Sequence, residues 1–115
     1  MKNGIQDSPL TETALLILLA MYKPNHGYGV MQFIEKKTNG RVIFGPGTLY
    51  GAINNLAKKK WITQCAGAEG ERKKVYVITD LGKVQVQLEL ERMKEVYKIG
   101  LDITSIGGMD NDQKV

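Results

Sequence analysis

Residues 45–60 constrain this chain most, because they satisfy only a surface helix with one buried stripe. The stretch reads Gly45-Pro46-Gly47-Thr48-Leu49-Tyr50-Gly51-Ala52-Ile53-Asn54-Asn55-Leu56-Ala57-Lys58-Lys59-Lys60. Pro46 is acceptable in a first helical turn, where its missing N–H has no intrahelical partner. Leu49, Ile53 and Leu56, with the stem of Lys60, recur at helical spacing and predict a stripe turned toward a core. The opposite face carries Thr48, Gly51, Asn54, Asn55 and Lys58. Asn pairs with adenine, and Lys reads guanine or neutralises phosphate. Gly51 costs roughly 1 kcal/mol of helix propensity against Ala, but it removes bulk from a face that can then approach another backbone. A merely solvated polar face has the same pattern, so the helix alone leaves both readings open.

The next segment favours nucleic acid. Residues 62–66 and 75–78 have strand character around a glycine-containing loop, which predicts a hairpin with a long connection. Its second strand opens with three consecutive cations, Arg72, Lys73 and Lys74. A helix followed at once by a basic-tipped hairpin is the order of a winged helix-turn-helix surface. In that arrangement the helix enters a groove and the hairpin lies on neighbouring phosphates.

Charge distribution points the same way. The net charge of +4 is modest, but residues 41–78 hold seven Lys/Arg against two Asp/Glu. The positive excess therefore lies on the expected helix and wing, where a polyanion would bind. At 115 residues the chain suggests one domain. Its longest apolar run, residues 14–22, is nine residues long, whereas a bilayer crossing needs about 20. No membrane association and no secretion signal are expected. The single cysteine, Cys65, fits a reducing cytoplasm and is read as a strand residue.

Ser8-Pro9 and Thr11-Glu12-Thr13 are alternative starts for a first helix ending near Tyr22. That helix is apolar almost all round, so it is buried on more than one side; one side is expected against a partner subunit, through Leu15, Leu18 and Leu19. His26-Gly27-Tyr28-Gly29 is expected as a turn into a second helix from Val30 to about Lys37. Past the hairpin, Thr79-Asp80 caps a long helix expected to end near Ile99, before Gly100. Two stripes mark it. Leu81, Val84 and Leu88 suit the helix's own domain, while Val86, Leu90, Met93 and Tyr97 suit dimerisation. The expected organisation is mainly α (α+β): a winged helix-turn-helix domain over 9–78, a dimerisation helix over 79–101 and a mobile tail over 102–115.

With these residues in view, the chain resembles the PadR-family transcriptional regulators, in the short subfamily with a single C-terminal helix. The resemblance covers roughly residues 9–99. It rests on Pro9-Leu10-Thr11-Glu12, His26-Gly27-Tyr28-Gly29, Gly45-Pro46-Gly47-Thr48-Leu49-Tyr50, Arg72-Lys73-Lys74-Val75-Tyr76 and Ile78-Thr79-Asp80-Leu81-Gly82. It implies a cytoplasmic homodimer that binds a short inverted repeat in double-stranded DNA, usually to repress transcription. Thr48 and Tyr50 match positions touching DNA near the start of the recognition helix. Tyr28 matches a phosphate contact, and Arg72, Lys73 and Lys74 match the wing. Asn54, Asn55 and Lys58 are assigned to DNA from their face and chemistry. Relatives often take planar apolar, phenolic or drug-like effectors between the first and C-terminal helices. Here the matching positions are Met93 and Tyr97, which equally suit plain interface packing.

Enzyme chemistry finds little support. His26 is the only histidine, no Cys/His cluster has metal-ligand spacing, and the turn at Gly45 lacks the Gly-Lys-Ser/Thr end of a phosphate loop. No cofactor or metal is expected. The competing reading is a winged-helix module that dimerises and binds another protein, which has no need of a concentrated positive surface.

Overall fold

Thr11 starts the first helix. In the computed structural model, which describes residues 4–65 and 74–113 with side chains through residue 105, its hydroxyl accepts the Ala14 N–H at 3.0 Å. Helix α1 therefore spans Glu12–Ala20, shorter than the expected 9–22. The remaining elements are β1 (Asn25–His26), α2 (Gly27–Lys37), α3 (Pro46–Lys58), β2 (Ile62–Gln64), β3 (Val75–Ile78) and α4 (Asp80–Gln113). The strands form one antiparallel sheet in the order β1-β3-β2, with Asn25 opposite Tyr76 and Gln64 on the other side of Tyr76. Cys65 continues the ladder through its N–H to the Val75 carbonyl at 2.7 Å. No helix among the described residues is long and apolar enough to cross a membrane.

Two differences at residues 25–29 have one cause. The expected turn is a short strand, and α2 begins at Gly27 rather than Val30. His26 is the N-cap, its Nδ1 accepting the Gly29 N–H at 3.2 Å. A histidine in place of the usual Ser, Thr, Asp or Asn hid this helix start from the sequence.

Helices α2 and α3 stop in the same way. Asn39 and Lys60 adopt left-handed backbone, with φ of 53° and 64°. The Gly40 N–H bonds the Glu35 carbonyl and the Asn39 N–H that of Lys36; the Trp61 N–H bonds Leu56 and the Lys60 N–H bonds Ala57. Both are Schellman caps. Lys60 is consequently an exposed cap residue and does not extend the buried stripe of α3. Leu49, Ile53 and Leu56 are buried as expected.

The core gathers Ile17, Leu18, Met21, Val30, Ile34, Leu49, Ile53, Trp61 and Ile62, all essentially without exposed surface. Helix α1 runs among α2, α3 and α4, which accounts for its apolar residues within one protomer. Leu15 and Leu18 are part of that core, as is Val86, so none of the three is available to a partner.

Helix α4 also turns a different face inward than expected. Val84 and Leu88 are exposed, while Gly82, Gln85, Val86 and Glu89 are buried. Polar residues are needed there because the irregular segment 4–10 lies against the helix and brings backbone groups that need partners. Gln85 accepts the Gln6 N–H at 2.9 Å and donates to the Gln6 carbonyl at 3.2 Å. Glu89 accepts the Leu10 N–H at 3.1 Å and Arg92 at 2.7 Å. Thr79 caps α4 by accepting the Gly82 N–H at 3.0 Å. The end expected near Ile99 is absent: helical backbone passes through Gly100 to Gln113. One glycine weakens a helix by about 1 kcal/mol without terminating it.

Replacing Lys60 by Gly should stabilise the fold by about 1 kcal/mol, since a left-handed residue with a Cβ is strained; chemical denaturation would read this as a higher midpoint with an unchanged slope. Glu89 gives a pH prediction. Burial pushes its carboxyl up, but the Arg92 hydrogen bond, the Leu10 N–H and the Arg92 charge together more than offset this and hold it below the ordinary 4.5. The associated stability is complete above that ordinary value and is lost as pH falls through the lowered folded one. Glu89→Gln should cost about 1–3 kcal/mol at neutral pH and flatten the acid limb of a stability-against-pH curve.

Candidate nucleic-acid interface

Once Leu49, Ile53 and Leu56 are buried, the 3.6-residue period leaves the other face of α3 outside. Thr48, Gly51, Asn54, Asn55 and Lys58 are all exposed, and Tyr50 is half so. A Cβ on Gly47 or on Gly51, one turn later, would meet nothing within 4 Å, and neither residue has positive φ. Nothing among the described residues therefore requires glycine at either position. Both leave bare helix backbone facing outward.

Beside this face, three segments converge on a cleft of about 500 Å³ lined by His26, Gly27, Tyr28, Tyr50, Asn54, Lys74 and Tyr76. The pairing of β1 with β3 brings His26 beside Val75. Gly27 admits the Tyr50 ring: a Cβ there would collide with the phenol at its hydroxyl end. Tyr28 is 58% exposed. Tyr28, Tyr50, Asn54 and Lys74 thus share one concavity, while Thr48, Asn55 and Lys58 lie elsewhere along α3. Arg72 and Lys73 lie outside the described residues. Lys59 is committed inward, with its Nζ 3.0 Å from Gln6 Oε1 and 4.7 Å from the Trp61 ring centre. Arg41 pairs with Glu12.

A second surface lies on α4. Past Glu89 the inward face runs beyond the domain, exposing Leu90, Met93, Val96 and Tyr97. Pro9, Glu89, Arg92, Met93, Val96 and Tyr97 line a shallow depression of about 440 Å³. Met93 and Tyr97 therefore sit together, with Val96 as a third apolar wall absent from the expected stripe. Leu19 is half-buried on α1. Among the described residues, no group of three His, Cys, Asp or Glu side chains is placed to hold a metal.

The model of the transcriptional regulator PadR-like family matches residues 15–88. The chain belongs to this family. An uncharacterised Lysinibacillus sphaericus protein is 31% identical over 88 residues, covering 75% of this chain and 81% of that one. A transcriptional regulator structure from Clostridium thermocellum is 25% identical with a TM-score of 0.66, covering 76% of this chain and 87% of that one. A PadR-family transcription regulator from Clostridium difficile R20291 shares the fold at 18% identity with a TM-score of 0.69, covering 82% of this chain and 99% of that one. These PadR relatives are transcription regulators and not enzymes.

Within this PadR-like chain, His26 and Tyr76 are the cleft residues that sequence reasoning passed over. The alternation of β3 offered a signal for Tyr76, since Tyr76 and Ile78 share its buried face. His26 offered none, because its place depends on strand pairing. Gly27→Ala should push the Tyr50 ring out and destabilise the protein by about 1 kcal/mol. In a Tyr50→Ala background most of that cost should vanish, which a double-mutant cycle of thermal unfolding would measure.

Proposed function

We propose that this protein is a homodimeric, sequence-specific DNA-binding regulator that represses transcription from an inverted-repeat operator. The observation that carries the reading is the outward face of α3, where Asn54, Asn55 and Lys58 surround backbone left bare at Gly47 and Gly51. An interior helical glycine with no internal role costs stability, and close approach by another molecule's backbone is what it permits. In this reading α3 enters the major groove, with Asn54 and Asn55 on base edges and Thr48 and Tyr50 near the helix start. Lys58 and Lys74, with Arg72 and Lys73, neutralise phosphate, and Tyr28 donates to one. The exposed Leu90, Met93 and Tyr97 pair two protomers so that their α3 helices lie about 34–36 Å apart, one DNA turn. A planar apolar effector held at Met93 and Tyr97 relieves repression by favouring a dimer of mismatched spacing. The protein works in the cytoplasm, where its DNA is.

Gly51→Ala separates this reading from a protein-interaction module. It should stabilise the isolated protein by about 1 kcal/mol and yet weaken binding to the DNA upstream of its own gene by tenfold or more. Equal DNA affinity in variant and parent would remove α3 from the groove. If a dimer neutralises about eight phosphates, log K against log salt should fall with a slope of about −7. Asn54→Ala should cost about 1–3 kcal/mol on the operator and little on random duplex.

A further inference from the structure

The cleft between α2, α3 and β3 holds two polar groups that the interface above does not use. Tyr76 keeps only 9% of its surface exposed. It lines the cleft, and its hydroxyl has no hydrogen-bond partner among the described residues. An unpaired hydroxyl on a side chain this buried is costly, and a ligand atom in the cleft that Tyr76 lines would satisfy it. His26 lines the same cleft. Its Nδ1 is occupied by accepting the Gly29 N–H, so the neutral ring carries its proton on Nε2, as a donor.

The rest of the lining is donor-bearing, with Asn54 adding an amide that can donate as well as accept. Tyr28 and Tyr50 add hydroxyls, and Lys74 adds an ammonium group that makes no ion pair among the described residues. The 11-residue helix α2 begins at this wall, with its first N–H groups and positive dipole end. Among the described residues, no carboxylate lines the cleft. Donors thus converge from three chain segments on a space within the size range of ligand sites, and the partner they suit is a compact anion rich in acceptors.

We propose that this cleft is a phosphate-ester site in which the Tyr76 hydroxyl and His26 Nε2–H donate alongside Tyr28, Tyr50 and Lys74. Tetrahedral phosphate oxygens match donors arriving from several directions, and a helix N-terminus favours their charge. A cleft of about 500 Å³ is also large enough for the attached sugar. A DNA backbone phosphate and a free nucleotide both present this chemistry. The first source rests on the DNA-binding reading, and the second does not.

The test uses the full chain labelled with 15N. Inorganic phosphate and deoxyadenosine monophosphate are titrated separately while the amides of Gly27, Tyr28 and Gly29 are followed. Both should shift these resonances saturably. Tyr76→Phe keeps the ring, and His26→Asn keeps a helix-capping acceptor while losing the Nε2 donor. Each should weaken phosphate binding three- to tenfold, while the thermal midpoint does not fall and in Tyr76→Phe rises as the unpaired hydroxyl is removed. If the occupant is a DNA backbone phosphate, operator affinity should fall by a similar factor. If a backbone phosphate is the occupant, replacing one particular phosphate by a neutral methylphosphonate should abolish the difference between variant and parent. If the nucleotide binds and no methylphosphonate position couples to Tyr76, the occupant is the free ester. A protein that binds phosphate through Tyr76 but has no affinity for DNA would retain the cleft and refute the DNA-binding reading. Indifference of both phosphate and DNA binding to the two substitutions would overturn the phosphate site.

Discussion

The fully buried indole of Trp61 is the point on which the rest of the structure is aligned. The left-handed cap at Lys60 ends α3 and turns the next side chain into the core. Trp61 Nε1 donates to the Gly4 carbonyl at 2.9 Å, tying down the amino-terminal segment. The Trp61 carbonyl accepts the Thr79 N–H at 2.9 Å and lies so close to Gly82 that any side chain there would strike it. Helix α3, the sheet, the start of α4 and segment 4–10 are thereby indexed to one residue. A change in any of them must be absorbed around a large ring in a close-packed interior.

Much of this was legible before any coordinates. The stripe Leu49, Ile53, Leu56 gave α3, the Thr79 cap gave the start of α4, and the basic hairpin gave β2 and β3 to within two residues. What escaped was the environment of apolar helices. An all-round apolar α1 is equally consistent with burial inside one domain and burial between two copies, and periodicity holds no information to separate them. On α4, apolarity does not mark the inward face, since Val84 and Leu88 are exposed. The face that packs inward includes Gln85 and Glu89, because an irregular segment presents backbone polar groups instead of side chains. A buried polar pair serving a distant backbone leaves no trace in hydropathy.

The candidate interface divides along the same line. The exposed face of α3 follows from helical geometry and could be read from the chain. The cleft could not, because it needs strand pairing to carry His26 toward Val75 and the missing Cβ of Gly27 to admit Tyr50. Residues 26–28, 50–54 and 74–76 are far apart in sequence and acquire a common chemistry only in the fold. Tyr76 shows the limit most clearly. Alternation marks it as inward-facing, but whether its hydroxyl meets a protein group or an open cleft is a tertiary fact.

The two surfaces are linked through the first turns of α4. Gly82 is held against the Trp61 carbonyl, Gln85 against Gln6 and Glu89 against Leu10. Arg92 adds a bond to the Asp7 carbonyl at 3.2 Å. Up to Arg92, then, α4 belongs to the same rigid unit as α3. The apolar residues offered for pairing, from Leu90 to Tyr97, lie across and just beyond the end of that anchorage. If two protomers meet there, reorienting one α4 against the other must carry each α3 with it as a lever. The alternative is to break a buried hydrogen-bonded carboxylate, which is the costlier route. A lever of this kind alters the spacing of the two α3 helices without altering either one. It needs only an occupant at Met93 and Tyr97 that prefers one crossing of α4 over another, and the shift it produces cannot exceed that preference.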